Sequence, residues 1–376
     1  MMWILAHVFL YSLFLSKCDP LSEEMKEYPT NREPRIWPWP FILPFYRKTI
    51  IPRVACTGNN QEGICLSKLQ CEANTGTPSG RCASNKGVCC VFVKSCGDST
   101  KSQITYFTNP EFPSPKTGGA MCQLTIHKAK DNICQLRMKF LQLNLAQPNN
   151  AGECNDDFLS LGSHTTPIIC GNNNDKTVYV DFDPNCAFHQ VTVDTTSSLN
   201  DQRFWNIEIT QISCDSVELA PSGCLMYFTS TSGSVSSFNF DGSATMFILV
   251  FKDPTNHQLN NLNYGVCVKP TIGYCEIEWS ASSDSIYSFT ISGDTTAGLP
   301  GVALMGTDCT NNFVIIPSPI REGMDLVEDR FCGNSFNTVR TKSQPYVLTV
   351  RTAISEDEDI GNRGFNLNFR QILCSS

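Results

Sequence analysis

Twenty cysteines constrain this chain more than any other feature, because twelve of them form one frame written twice. In the first copy Cys154 is followed four residues on by Phe158, Cys170-Gly171-Asn172 comes next, and 44 positions after Cys170 the segment closes with Gln211-Ile212-Ser213-Cys214. In the second, Cys309 is followed four residues on by Phe313, then comes Cys332-Gly333-Asn334, and 42 positions after Cys332 the frame closes with Gln371-Ile372-Leu373-Cys374. The approach to the last cysteine matches as well, Arg203-Phe204-Trp205-Asn206-Ile207 against Arg363-Gly364-Phe365-Asn366-Leu367. A frame repeated over this length implies two homologous domains. Aligned from their ends, Cys96, Cys122, Cys134, Cys154, Cys170 and Cys214 correspond to Cys224, Cys267, Cys275, Cys309, Cys332 and Cys374.

With 376 residues, 41% of them apolar and 17% charged, the chain can bury the cores of two or three domains. A formal charge of -8 argues against nucleic acid or an anionic membrane as partner, since both need a basic field. Residues 1–18 read as a secretory signal peptide: the apolar run Trp3 to Leu15 is too short to span a bilayer, and Ser16 and Cys18 are small enough to precede cleavage before Asp19. No later stretch reaches the length of a membrane anchor. In an oxidising secretory route the cysteines pair with one another. Zinc is disfavoured, because no CxxC pair occurs and His7, His127, His164, His189 and His257 are scattered. No Asn-x-Ser/Thr sequon is present, so the asparagines are expected to carry no glycan.

Residues 19–55 carry seven prolines interleaved with Trp37, Trp39, Phe41, Phe45 and Tyr46, which excludes a regular helix. An extended linker is one reading. Docking of the aromatic run in a groove, or removal after Arg47-Lys48 or Arg53, are the others. Residues 56–90 then place Cys56, Cys65, Cys71, Cys82 and the adjacent pair Cys89-Cys90 within 35 positions. Neighbouring cysteines rarely bond to each other, so each reaches a different partner. So short a segment buries little core, and three bridges supply the missing stability. The spacing and the Gly87-Val88-Cys89-Cys90 ending resemble the clip module of arthropod secreted proteins, although the interval from Cys71 to Cys82 is shorter than most clip modules have. That likeness implies Cys56 with Cys89, Cys65 with Cys82, and Cys71 with Cys90.

From Cys96 onward apolar residues alternate in short runs broken by Gly, Pro and Asn, as in Leu136-Arg137-Met138-Lys139-Phe140 and Phe365-Asn366-Leu367-Asn368-Phe369. Period-two runs without a helical pattern predict an all-β chain: two antiparallel β-sandwiches, residues 96–214 and 224–374, joined by a short 215–223 linker whose Pro221 favours a fixed angle. Here the residues resemble the CUB family of extracellular β-sandwich (jelly-roll) domains. Cys96 with Phe107-Thr108-Asn109-Pro110-Glu111-Phe112-Pro113 and Cys122-Gln123-Leu124 is similar to the CUB opening, and Cys154-Asn155-Asp156-Asp157 with Cys170-Gly171 to its second bridge. The likeness is good over 96–214 and weaker over 224–374, which lacks the proline-rich opening. It implies Cys96 with Cys122 and Cys154 with Cys170, hence Cys224 with Cys267 and Cys309 with Cys332. The repeat then leaves Cys134 with Cys214 and Cys275 with Cys374, each joining a middle strand to the last one. A clip-like module followed by two CUB-like domains resembles a group of secreted insect proteins without a catalytic domain.

Six cysteines in the small module and twelve in the sandwiches leave Cys186 over once Cys18 departs with the leader. An odd cysteine in a secreted chain means an unpaired or capped thiol, an interchain bridge that would make a disulfide-linked dimer, or retention of Cys18 through cleavage further upstream. Many CUB domains hold calcium among the loops at one end of the sandwich, which makes Asp157 a weak calcium candidate with Asp156 beside it and Asp194 or Asp201 as later partners. The expected Glu falls near Ala146, and Asn312 replaces the aspartate in the second copy. A cation that wants six or more oxygens is poorly served by either set. No Gly-Asp-Ser-Gly-Gly segment or phosphate loop appears, so no catalytic residue is assigned. The acidic run Ser355 to Asp359 reads as a solvated loop, with contact to a basic partner or weak collection of calcium as the alternatives. The expectation is a secreted, non-enzymatic protein that binds an extracellular protein partner, with no cofactor. The alternatives are a regulatory partner of clip-type protease cascades and a disulfide-crosslinked matrix or venom component.

Overall fold

The computed structural model describes residues 51–163, 165–197, 202–241, 257–291, 302–355 and 362–374. The leader, residues 19–50, His164, Asp201 and the acidic residues 356–359 lie outside the described residues. Two compact units separate, one of Met1–Val93 with Pro184–Ala187, the other of Lys94–Asp183 with Phe188–Ser376.

In the first unit, strands Ala55–Gly58, Gln61–Leu66, Gly87–Val91 and Thr77–Cys82 lie side by side in that order as an antiparallel sheet. Asn59 and Asn60 both take positive φ, 49° and 61°, the two-residue reversal whose twist matches that of the strands it joins. A short helix, Lys68–Ala73, starts at Ser67, whose hydroxyl accepts from the Gln70 amide while the Gln70 side chain accepts from the Ser67 amide. Three disulfides, Cys56–Cys89, Cys65–Cys82 and Cys71–Cys90, run through this knot. Its apolar cluster is small, centred on Leu66, Cys71, Cys90 and Phe92, so the covalent links replace a core this short segment lacks. Gly76 is required by packing, since a Cβ there would lie 2.3 Å from the Cys90 sulfur.

The second unit is built from two sandwiches. In the first, the sheet of Thr177–Asp181, Ile133–Asn144, Phe204–Ser213 and Ile104–Thr108 faces the sheet of Ile168–Ile169, Phe158–Ser160, Phe188–Asp194 and Met121–His127. Alternation in the sequence decides which residues turn inward: Leu136, Met138 and Phe140 from one sheet meet Leu124, Ile126, Val191 and Val193 from the other, all buried. In the second sandwich Asn263–Val268, Tyr346–Arg351, Phe313–Ile315 and Arg330–Gly333 form one sheet, and Ser232–Ser236, Gly364–Leu373, Tyr274–Ala281, Val339–Thr341 and Pro319–Arg321 the other. Each has three disulfides: Cys96–Cys122, Cys154–Cys170 and Cys134–Cys214, then Cys224–Cys267, Cys309–Cys332 and Cys275–Cys374.

The repeated Gln before the last Ile has the same task in both copies. Gln211, buried, donates to the carbonyls of Ser102 and His127 and accepts from the Ala129 amide. Gln371, also buried, donates to the carbonyls of Ser230 and Lys269 and accepts from the Thr271 amide. One side-chain amide thereby satisfies three backbone groups where two connections leave the sheet.

Cys186 corrects the expectation of an unpaired or capped thiol. It is disulfide-bonded and 4% exposed, and among the described residues no cysteine is free.

Candidate functional site

Three places in the second unit bring functional side chains together. The first is the loop end of the first sandwich. Asp157, just before strand Phe158–Ser160, is fully buried and faces Arg203, equally buried at the start of the closing strand. Arg203 Nε donates to Asp157 Oδ2 at 2.8 Å and one terminal nitrogen donates to Oδ1 at 3.0 Å, a two-point pairing. The Ala146 amide also donates to Oδ2, and the Ser197 hydroxyl links both charged groups. Asp194 is engaged separately, accepting from the Thr196 amide. Calcium does not fit this arrangement. The Asp157 oxygens already face a cation, and the position of the expected Glu offers a backbone donor. Among the described residues no group of three or more His, Cys, Asp or Glu side chains could hold a metal. In the second copy Asn312 spends its side-chain oxygen on the Ala353 amide, and Arg363 lies 4.2 Å over the Tyr287 ring.

The second place is the seam between the sandwiches. Asn239, fully buried at a positive φ of 58°, accepts from the Asn172 amide through its side chain and donates its own amide to the Asn173 side chain. Its Nδ2 donates to the Gln147 side chain and to the His257 carbonyl. Gly171 permits this approach, because a Cβ there would lie 2.0 Å from Asn239 Oδ1. Lys176 donates to the carbonyl and hydroxyl of Ser236, and burial of its ammonium pushes the pKa down to about 8. Gln135 clamps Ala220 of the linker by one hydrogen bond in each direction. The Tyr179 and Tyr227 rings meet edge to face at 5.9 Å.

The third is a groove of about 980 Å³ on the outer face of the second sandwich. Its floor is a charge ladder across three strands: Glu278 accepts from Arg340 and Arg370 at 2.7 Å each, and Glu276 pairs with Lys342 at 3.4 Å. Burial would raise the Glu278 carboxyl, but the two arginine hydrogen bonds outweigh it and hold it below the usual carboxylate value. One wall is the hairpin Pro319–Arg321 to Met324–Asp325, reversed at Glu322 and Gly323, which both take positive φ. Glu322 and Asp325 are exposed on it.

Histidine chemistry has a structural explanation in the first sandwich. His189 is buried beside Phe182, its Nε2 is 2.6 Å from the Leu161 carbonyl, and burial lowers its pKa. The sequence named Asp157 but missed Arg203 as its partner, 46 residues away. It also missed Asn239, Lys176 and the groove. Among the described residues no helix is long and apolar enough to cross a membrane.

Residues 221–372 match the family described as the animal CUB domain. The match falls on the copy whose opening residues resemble that family less. Among solved structures, the CUB1-EGF-CUB2 domains of rat MASP-1 are similar at 13% identity over 72% of this chain and 99% of that one, TM-score 0.26. The CUB1-EGF-CUB2 domain of human MASP-1/3 is similar at 14% identity over 72% and 100%, TM-score 0.25. The MASP-1 CUB2 domain bound to Ca2+ is similar at 16% identity over 31% of this chain and 98% of that one, TM-score 0.25. No curated protein matches the chain.

Proposed function

We propose that this chain is a secreted, non-enzymatic interaction protein. In this reading a clip-like knot (residues 56–90) precedes a CUB-like domain (96–214) and a second CUB domain (224–374), and the chain recognises an extracellular protein partner through the second. The observation that carries the reading is the groove beside the 319–325 hairpin, within the residues matched to the animal CUB domain. Its floor charges are fixed by cross-strand pairing before any partner arrives, and Glu322 and Asp325 at its wall suit a basic side chain of that partner. The matching roles of Gln211 and Gln371 support reading 96–214 as a second domain of the same kind. Calcium has no part in this reading of the first domain, because Arg203 supplies the positive charge there.

The test is capture from the fluid into which the protein is secreted, with the intact chain and a Glu322→Lys/Asp325→Lys variant immobilised side by side. A protein retained by the first and lost from the second supports the groove; equal retention sinks it. Docking of the knot on a clip-type protease is the alternative, favoured by the three-bridge frame of residues 56–90. Retention of the partner after deletion of those residues would dispose of it.

A further inference from the structure

The hairpin at the wall of the groove is also the end of a sheet. Strand Met324–Asp325 stands last in the order, next to Pro319–Arg321, and among the described residues no strand lies on its other side. The register tells which backbone groups face that open side. Arg321 stands opposite Met324 and Ile320 opposite Asp325, and one step further the Leu326 amide donates to the Pro319 carbonyl at 2.8 Å. In an antiparallel pair, positions that exchange hydrogen bonds alternate with positions whose N–H and C=O turn away from the partner strand. Leu326 occupies a bonded position, so the N–H and C=O of Asp325 turn outward, to the open edge.

Side chains of the same row select what can pair there. Across the outer face Arg370 stands opposite Glu278, Glu278 opposite Arg340, Arg340 opposite Ile320, and Ile320 opposite Asp325. Directly opposed residues share a face and interact. Glu278 already holds both arginines, and Ile320 separates Arg340 from Asp325. Among the described residues Asp325 therefore closes the row as a carboxylate in no ion pair, with exposed Glu322 at the turn beside it. The next position in the row belongs to whatever strand is added. A second copy of this edge would set Asp325 against its own kind, whereas a lysine or arginine there would continue the alternation of sign.

We propose that the partner of this groove enters as an extended polypeptide segment that adds as an antiparallel strand along Met324–Asp325, with a lysine or arginine opposite Asp325. The inference rests on the groove being the recognition site. Backbone pairing with Asp325 supplies attachment, and the carboxylates of Asp325 and Glu322 supply the preference for a basic residue. In the antiparallel arrangement the residue opposite Asp325 also bonds to its outward N–H and C=O, so the amide of the basic residue is the one engaged.

The intact secreted chain is titrated against a fluorescent synthetic peptide alternating Thr and Lys, with anisotropy as the readout. N-methylation of the Lys amides should weaken binding at least about tenfold, and N-methylation of the Thr amides should change it less than about twofold, although both peptides carry the same charge. On the protein side, Asp325→Ala removes the carboxylate, and Asp325→Pro removes the outward N–H as well while leaving the bonds to Pro319–Arg321 in place. Asp325→Pro should bind the unmethylated peptide several-fold more weakly than Asp325→Ala; if the proline variant melts early, the methylated peptides decide alone. Failure of the parent to bind the unmethylated peptide at millimolar concentration overturns the proposal. Equal binding of the two methylated peptides overturns strand addition and leaves the charged groove standing. Undiminished binding of the unmethylated peptide by Glu322→Lys/Asp325→Lys would instead remove the charged groove on which the inference rests.

Discussion

At the scale of single residues, the pairing of Asp157 with Arg203 decides what the loop end of the first sandwich can hold. Removing one partner of a buried ion pair leaves the other charge in a site with no water, which costs about 3–5 kcal/mol. Arg203→Met is therefore expected to lower the melting temperature sharply, with an Asp157→Asn/Arg203→Met double variant recovering part of the loss. Melts of the parent chain in calcium and in EDTA should superpose; a shift of several degrees on adding calcium would mean that the cation competes successfully for Asp157. The Asp157 position was legible in the sequence, because the Cys-x-x-Asp element is local. Its partner was not, because Arg203 approaches only when two strands from different sheets meet. Its repetition as Arg363 marked the approach to the last cysteine and carried no hint of an ion pair. His189 adds a pH dependence here. Burial depresses its folded pKa, so the unfolded chain binds the proton more readily and stability is lost as pH falls below the ordinary imidazole value. His189→Gln, which can keep the donor to the Leu161 carbonyl, should flatten that acid limb in urea titrations at pH 5 to 7.

At the scale of elements, the repeated cysteine frame records where strands are joined. Cys134–Cys214 and Cys275–Cys374 each tie a middle strand to the closing strand with which it pairs, Ile133–Asn144 to Phe204–Ser213 and Tyr274–Ala281 to Gly364–Leu373. This much was readable, since a disulfide frame and a period-two alternation are both written in one dimension. The task of the glutamine three residues before each closing cysteine was not readable, because its three partners come from two distant connections. Gln371→Leu breaks part-buried hydrogen bonds to the carbonyls of Ser230 and Lys269 and to the Thr271 amide, each worth about 1 kcal/mol, and more where the group left behind is shielded from water. The expected outcome is a destabilisation of a few kcal/mol with all disulfides intact, and Gln211→Leu should match it. An effect confined to one copy would mean that the two glutamines are not equivalent.

For the whole molecule, the question is whether the two sandwiches of the second unit act as one body. Buried residues of both form a continuous cluster, and the seam adds Asn239 in a conformation that an ordinary side chain adopts only with strain. Lys176 is a seam group whose charge state can be varied from outside. Its folded pKa of about 8 lies below that of an unfolded lysine, so between pH 8 and about 10.5 the unfolded chain holds more protons and stability rises with pH. Because the Lys176 stem belongs to the first sandwich and its acceptors at Ser236 to the second, that gain is shared by whatever unfolds together. A coupled pair should give a single calorimetric transition that moves upward across this window, and Lys176→Met should remove the slope. Asn239→Ala removes the side-chain bonds to the Asn172 amide, the Gln147 side chain and the His257 carbonyl, and should split the transition in two. Two transitions in the parent chain, of which only one responds to pH, would mean that the sandwiches unfold independently and that the seam orients them without coupling them.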